Sequence, residues 1–183
     1  IKPQDYKGTF STGESSEIRS VGRIRVGGLK IFGNTSGINR YRLIAHTKGP
    51  ISAVEAHYLG GREVTVEADG WVSSPPYARP QGASTASYVR VEAKTGDGTE
   101  TAWSELTSAF TAWTSNHRVR GIAQSLVRYI SPGIGTDRFL KMYQNFPEYE
   151  RVQRCEPVYD PRDGGQSVDT QSTWGWSENG ILC

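Results

Sequence analysis

The stretch Tyr88-Val89-Arg90-Val91-Glu92-Ala93-Lys94 alternates apolar and polar side chains along its length. Successive side chains of an extended chain point to opposite faces, so this period of two is typical of a half-buried β-strand. The whole chain contains 21 glycines, 9 tyrosines and 5 tryptophans, a composition that favours strands joined by tight turns. The sequence therefore predicts a mainly β protein with α+β character.

Further strand patterns lie on both sides of this stretch. Residues 21–26 and 29–32 alternate around Gly27-Gly28, which predicts a β-hairpin because glycine accepts a positive φ at a tight turn. Gly60-Gly61 predicts a second hairpin in the same way, between strands at 51–59 and 63–67. The other predicted strands are 41–46, a central strand at 122–130 and a last strand at 151–158, with loops at 33–37 and 73–87.

One segment has helical periodicity. Asp97-Gly98-Thr99-Glu100 has the spacing of a capping box, in which an acidic cap is followed three residues later by a glutamate. Apolar residues then recur at helical spacing as far as Trp113, which predicts one short amphipathic helix over 99–113. Because strands precede and follow this helix without βαβ alternation, we expect an α+β or mainly β arrangement. The length of the chain also allows one β-domain that carries an inserted β-subdomain.

The domain organisation follows from composition and length. Residues 1–20 are polar and rich in serine and glycine, which predicts an extended arm or linker. Residues 21–183 are long enough for one core, with insertion-like loops near 73–87 and 131–154. The first residue is not methionine, and we interpret the chain as a fragment of a longer protein.

Charge and hydropathy argue against two classes of partner. The net charge is +2, and the lysines and arginines are scattered, so the sequence predicts no specific nucleic acid binding, which requires a clustered positive field. No apolar run approaches the roughly 18 residues of a membrane span, and the mean hydropathy is −0.54. We therefore expect no membrane binding by this segment.

The sequence predicts no catalytic, cofactor-binding or metal-binding residue. The three histidines, His46, His57 and His117, are too far apart for a local zinc signature, and no G-x-S-x-G nucleophile elbow is present. The glycine-rich runs join strands or loops and do not open a helix, so no phosphate site is indicated. Acidic residues that alternate with valines are interpreted as a solvated strand face; they are Glu55, Glu63, Glu67, Asp69 and Glu92.

Two further kinds of residue leave alternatives open. Cys155 and Cys183 are interpreted as free thiols, although the sequence does not exclude a disulfide between them. The tryptophans suit either sugar stacking or core packing, and core packing is favoured. In that interpretation Trp103 and Trp113 lie on the helix and cover the sheet, while Trp174 and Trp176 share one face of a short strand.

Three segments resemble a known family. Trp113-Thr114-Ser115-Asn116-His117-Arg118-Val119-Arg120-Gly121-Ile122-Ala123 is similar to the W-T-x-x-H-R-L-R-G-I-A segment of the lambda-like phage tail-tip protein J and related tail hubs. Val158-Tyr159-Asp160-Pro161-Arg162-Asp163-Gly164, followed by residues 173–183, resembles the family's V-Y-D-P-R and W-S-D-N-P-A-L-C. Upstream, Gly22-Arg23-Ile24-Arg25-Val26-Gly27-Gly28 is similar to its G-x-x-R-V-G-G.

The resemblance covers roughly residues 21–183 and departs from the family at Glu178 and at Gly180-Ile181, where Asp and Pro-Ala are usual. It implies a non-enzymatic structural protein of the virion, a homotrimer in the tail tip or baseplate hub. It also implies contacts with distal tail proteins, other tail-tip proteins and receptor-binding fibres, and a role in host attachment and DNA ejection. Two alternatives are a carbohydrate-binding module and a cell-wall hydrolase domain of a tail-associated protein.

Overall fold

A computed structural model describes residues 18–79, 83, 85–133 and 146–176 of the chain. The described residues form eight strands, one α-helix and a single 3-10 turn, which confirms the predicted mainly β fold. The strands are β1 Arg23–Val26, β2 Leu29–Ser36, β3 Asn39–Lys48, β4 Ala53–Leu59, β5 Arg62–Val64, β6 Val89–Lys94, β7 Ile122–Ile130 and β8 Tyr149–Arg154. The helix α1 is Ser104–Ala109, and the 3-10 turn is Gln171–Thr173.

The strands form two antiparallel sheets that pack face to face. Sheet I has the order β1-β8-β4-β5, and sheet II has the order β2-β3-β7-β6. The prediction of a central strand at 122–130 is confirmed, because β7 lies between β3 and β6 and pairs with both along its length. The alternating stretch that suggested the fold forms β6, from Val89 onward.

The predicted hairpin around Gly27-Gly28 is wrong. Strand β1 pairs with β8 in sheet I, whereas β2 pairs with β3 in sheet II. The chain therefore passes through the two glycines from one sheet to the other, as strands do at the corners of packed sheets. At Gly28 φ is +75°, and a Cβ there would lie 2.4 Å from the carbonyl oxygen of Ala45. Close packing at the crossing requires glycine at this position.

The predicted loop at 33–37 is also wrong, because most of it continues β2. Strand β2 reverses into β3 at Gly37, where φ is +57° and Ser36 pairs with Asn39. The predicted hairpin at Gly60-Gly61 is confirmed: both glycines have positive φ, and β4 and β5 pair on either side of them. The sequence alone did not distinguish a glycine pair that reverses the chain from one that crosses between sheets.

The helix is shorter than predicted and begins later. Only Ser104–Ala109 is helical, and Trp103 is its N-cap. The capping box is wrong because Asp97 accepts hydrogen bonds from the backbone amide and hydroxyl of Thr99 at 2.8 Å, outside the helix. Glu100 instead accepts the backbone amide of Gly121 at 3.0 Å. Within the described residues, no helix is long and apolar enough to cross a membrane.

The two faces of sheet II pack against different partners. One face packs on sheet I around residues such as Ile44, Val127 and Tyr149, and the other lies under the helix. The helix-side cluster consists of Tyr41, Leu43, Trp103, Leu106 and Leu126, with Phe32, Phe110 and Trp113 packed against it. Burial of these apolar side chains is the main stabilising contribution to the fold. The predicted division into arm, domain and insertions stays a prediction.

Two other predicted elements differ from the structure. The last strand is Tyr149–Arg154, not 151–158, and Val158 forms only an isolated bridge with Gly175. The segment 73–87 was predicted to be a surface loop, but part of it is buried. Tyr77 is part of the core, and the Ser87 hydroxyl donates to the carbonyl oxygen of Tyr77 at 3.0 Å. This bond closes the base of the loop, which explains how a proline- and serine-rich segment contributes a buried aromatic ring.

Candidate functional site

The three family-like segments are numbered here in chain order: 22–28, 113–123, and 158–164 with 173–183. The first segment contacts the residues that precede the third. The backbone amide of Gly22 donates to the carbonyl oxygen of Glu156 at 2.7 Å, and the amide of Cys155 donates to the carbonyl oxygen of Gly22 at 2.9 Å. These bonds lie beyond the antiparallel pairing of β1 and β8, where Val21 and Glu156 form an isolated parallel bridge. Two segments more than a hundred residues apart are therefore joined through the backbone.

The second family-like segment, 113–123, ends beside Cys155 as well. Ala123 is fully buried and packs with Ile51 and Cys155 in a small apolar cluster between the sheets. Two residues earlier, the carbonyl oxygen of Gly121 accepts the amide of Gly49 at 2.9 Å. Since β7 begins and β8 ends here, the first and second segments lie at one end of the sandwich.

The third family-like segment closes this end. Val158 and Gly175 exchange backbone hydrogen bonds of 2.8 and 3.2 Å. The indole nitrogen of Trp176 donates to the carbonyl oxygen of Cys155 at 2.9 Å, and the guanidinium of Arg154 lies 5.4 Å from its ring centroid. We call the end of the sandwich formed by Gly22, Gly121, Ala123, Cys155, Glu156 and Trp176 the motif end.

The loop that leads into the motif end is held rigidly. Trp113 and His117 stack with ring centroids 4.9 Å apart, and the amide of Thr114 donates to Nδ1 of His117 at 3.0 Å. Val119 has a φ of +50°, which is rare for a β-branched residue. The buried side chain of Gln124 donates to the carbonyl oxygen of Val119 at 2.9 Å. These contacts hold residues 113–119 of the second family-like segment in one loop conformation.

The surface of the motif end combines apolar and charged groups. Three large apolar side chains are partly exposed here: Ile18 at 36%, Ile24 at 36% and Trp176 at 38%. Ion pairs also lie in this region: Arg19 pairs with Glu156 at 3.1 Å, and Glu55 bridges Arg23 and Arg154. The hydrogen bond from Arg23 and the charge of Arg154 hold the pKa of Glu55 below its ordinary value. Partly exposed apolar side chains and surface ion pairs both occur at protein interfaces.

A second polar cluster lies inside the sandwich. Arg151 is fully buried and donates to Gln153 Oε1 at 2.7 Å, Ser125 Oγ at 2.9 Å and the carbonyl oxygen of Gln124 at 3.4 Å. His46 is also fully buried, and its ring centroid lies 5.9 Å from that of Tyr149. We call the group formed by His46, His57, Ser125, Tyr149, Arg151 and Gln153 the buried polar centre.

The histidines of the buried polar centre are neutral. Burial, reinforced by the charge of Arg151, lowers the pKa of His46 to about 2 and that of His57 to about 4. Nδ1 of His57 lies 2.7 Å from the Tyr149 hydroxyl, and burial raises the pKa of Tyr149 to about 12. Because Arg151 and His46 are fully buried, they do not line a surface site for an organic substrate. The geometry favours a packing role over proton transfer.

We expect the free energy of unfolding to fall as the pH is lowered. The unfolded chain binds protons on His46 and His57 near pH 6.5, whereas the folded chain keeps both histidines neutral to much lower pH. Their contribution to stability is therefore full above about pH 6.5 and is lost below it, at up to about 1.4 kcal/mol per pH unit for His46. Denaturant unfolding at a series of pH values measures this slope.

The matched control for this pH prediction is His46→Leu. This variant is expected to show a shallower slope between about pH 6 and about pH 4, whatever its absolute stability. An unchanged slope would mean that His46 is protonated in the folded protein, contrary to its burial.

The residues singled out from the sequence are distributed over the molecule. His46 and His57 lie in strands and His117 in an exposed loop, and within the described residues no group of His, Cys, Asp or Glu side chains has the arrangement of a metal site. Of the carboxylates, Glu55 and Glu92 pair with arginines. The others accept local hydrogen bonds: Glu63 from Tyr58, Glu67 from Ser73 and Asp69 from the Trp71 amide.

The tryptophans pack against protein groups, with two changes from the prediction. Trp174 and Trp176 do not lie on a strand, because Trp174 ends the 3-10 turn and Gly175 forms only an isolated bridge. Trp103 and Trp113 flank the helix and do not lie on it, although both pack on sheet II as expected. Trp71 faces the guanidinium groups of Arg90 and Arg128, at 5.7 and 4.9 Å from its ring centroid. These contacts occupy the ring that a stacked sugar would need.

The sequence did not single out Arg151, Gln124 or Gln153. They lie at inward positions of β8 and β7, where the strand period alone predicts apolar residues. Cys155 is buried, and burial raises the pKa of its thiol. Cys183 and Glu178, with the segments 1–17, 134–145 and 177–183, lie outside the described residues.

Comparison with known proteins gives few matches. No protein-family model matches the chain, and no curated protein matches it. Among solved structures, a chain of one titled "Virion of native gene transfer agent (GTA) particle" is similar at 15% sequence identity, with a TM-score of 0.47. The match covers 94% of this chain, which spans 38% of that chain. A likeness of this size assigns neither a family nor a function.

Proposed function

We propose that this chain is a non-enzymatic structural component of a bacteriophage virion, in the tail tip or baseplate hub. The proposal rests first on the resemblance of three segments to tail-hub proteins, in the same order along the chain. In this role the protein is a homotrimer that links the tail tube to the host-attachment apparatus and takes part in DNA ejection. Its other partners are distal tail proteins, other tail-tip proteins and receptor-binding fibres.

The observation that best supports the proposal is the convergence of the three segments at the motif end. Cys155, which precedes the third segment, shares a backbone hydrogen bond with Gly22, an apolar cluster with Ala123 and a hydrogen bond with the indole of Trp176. Large apolar side chains that are partly exposed in these segments, such as Ile24 and Trp176, are available for contact with a partner.

In this proposal the motif end is the assembly surface. Ile18, Ile24 and Trp176 would be covered by a neighbouring subunit, while the ion pairs around Glu55 and Glu156 form the rim. Individual contacts of this size are weak, but a closed ring repeats each contact in every subunit. Modest pairwise affinity then produces a stable ring.

The proposal is tested by measuring how the chain, and two of its variants, assemble with tail proteins. The chain is co-expressed with the tail proteins encoded beside it, and the mass of the purified complex is measured by light scattering. We expect a complex containing three copies of this chain. Ile24→Ser is expected to weaken assembly about tenfold or more, because it removes a partly exposed apolar side chain from the proposed surface.

The control is Ile38→Ser, at a side chain that is 63% exposed in the turn between β2 and β3, far from the motif end. This variant should assemble like the unmodified chain. A chain that stays monomeric in the presence of the tail proteins would count against assembly. Equal effects of the two variants would count against the motif end as the assembly surface. Lysis of peptidoglycan by the chain, or saturable sugar binding, would instead support the alternatives.

A further inference from the structure

The guanidinium of Arg151 has an incomplete set of partners. Its Nε and Nη1 donate to Gln153, Ser125 and the backbone of Gln124. Its Nη2 is buried and has no hydrogen-bond partner among the described residues. A buried N–H donor without an acceptor destabilises the folded state, because it has lost its hydrogen bonds to water and formed none within the protein. The site therefore requires an acceptor that the described side chains do not supply.

The neighbouring His46 side chain also lacks hydrogen-bond partners within the part of the chain that the structure describes. Both of its ring nitrogens are buried and lack a partner among the described residues. The neutral ring carries one N–H, which needs an acceptor. The charge of Arg151 acts on this ring, and both side chains act on or contact Tyr149. Two neighbouring buried groups thus present unused N–H donors in the layer between the sheets.

The positive charge of Arg151 also lacks a counter-charge. Within the described residues Arg151 forms no ion pair, and its titratable neighbours are His46, His57, Tyr149 and Cys155. All four are neutral near pH 7, because burial lowers the pKa of each histidine and raises that of the tyrosine and the thiol. Burial lowers the pKa of Arg151 only to about 10, so the guanidinium remains charged.

We propose that the interior of the sandwich beside Arg151 and His46 binds a small monovalent inorganic anion, chloride under ordinary conditions. A halide accepts N–H hydrogen bonds from Nη2 of Arg151 and from the His46 ring, and it neutralises the guanidinium. An organic acid is too large for a site whose two donors are both fully buried. The inference is independent of the proposed function, since it concerns the interior and not the motif end.

Thermal unfolding of the full chain in different salts tests this site. Ionic strength is held constant with gluconate, which is too large to enter, and is replaced stepwise by chloride or bromide. An anion that binds only the folded chain should raise the unfolding midpoint by about 3–6 °C for each tenfold rise in halide above its Kd. Arg151→Met should abolish the dependence, whereas Arg162→Met, at an exposed arginine, should retain it.

A second measurement does not depend on the folding of a variant. Chloride exchanging with the buried site should broaden the 35Cl resonance of the solution, and bromide should reverse the broadening by competition. Equal midpoints in chloride and gluconate, with no reversible broadening, would show that only water satisfies Arg151 and would overturn the proposal. Equal halide dependence in Arg151→Met and Arg162→Met would overturn it as well.

Discussion

Replacing Gly96 with alanine is expected to lower the free energy of unfolding by about 2–5 kcal/mol. Gly96 has a φ of +83°, a conformation that costs an L-residue energy, and an added Cβ would meet only backbone. That Cβ would lie 2.5 Å from the nitrogen of Ala123 and 2.8 Å from the carbonyl oxygen of Gly49. Since β7 begins at this point, relief of the clash would displace the motif end. Denaturant unfolding measures the loss.

Gly98→Ala is the matched control for Gly96→Ala. Its φ of +90° is equally unfavourable for alanine, but no atom lies within 4 Å of an added Cβ. The control should therefore show only the conformational cost, about 1–2 kcal/mol. Equal losses in the two variants would contradict the close approach of Gly96 to β7.

Truncation of Leu106 to alanine is the second substitution with a large expected effect, about 2–5 kcal/mol of stability. Leu106 is the buried residue of α1, is fully enclosed, and packs with Leu43 and Leu126 on sheet II. The variant leaves a cavity under a helix of six residues, which has little intrinsic stability of its own. The free energy of unfolding in denaturant measures the effect.

Ser108→Ala, at an exposed position of the same helix, controls for changes in helix propensity. It should alter the free energy of unfolding by no more than about 0.5 kcal/mol. A loss below about 1 kcal/mol in Leu106→Ala would mean that the helix does not cover sheet II tightly, and that the helix-side cluster is not part of the core.

Strands β6 and β7 were predicted correctly because their apolar residues match their burial. Strand β6 alternates cleanly because Val89 and Val91 enter the core while Arg90 and Glu92 do not. Strand β7 was predicted to be central because it is a long, largely apolar run, and it is buried along most of its length. In both cases the local pattern reports burial directly.

The incorrect predictions share a different cause. Gly27-Gly28 and Gly60-Gly61 are alike in sequence, and only their strand partners distinguish a crossing from a hairpin. Glu100 has the spacing of a capping residue, yet its carboxylate binds Gly121, which is distant in the sequence. Long-range partners decided these cases, and local patterns do not contain them.

The candidate site was predictable only in part. The three family-like segments were visible in the sequence, but their meeting around Gly22, Ala123 and Cys155 was not. Arg151 was missed because arginine is normally exposed, and its side chain is buried against β7 of the facing sheet, where it contacts Gln124 and Ser125.

The central claim is that the chain is part of a phage tail tip, and immunogold electron microscopy of purified particles tests it most directly. Antibodies against this chain are applied to particles from the host that encodes it. The account predicts gold at the distal tip of the tail. Purified particles that lack the protein, or that carry the label on the capsid alone, would contradict it.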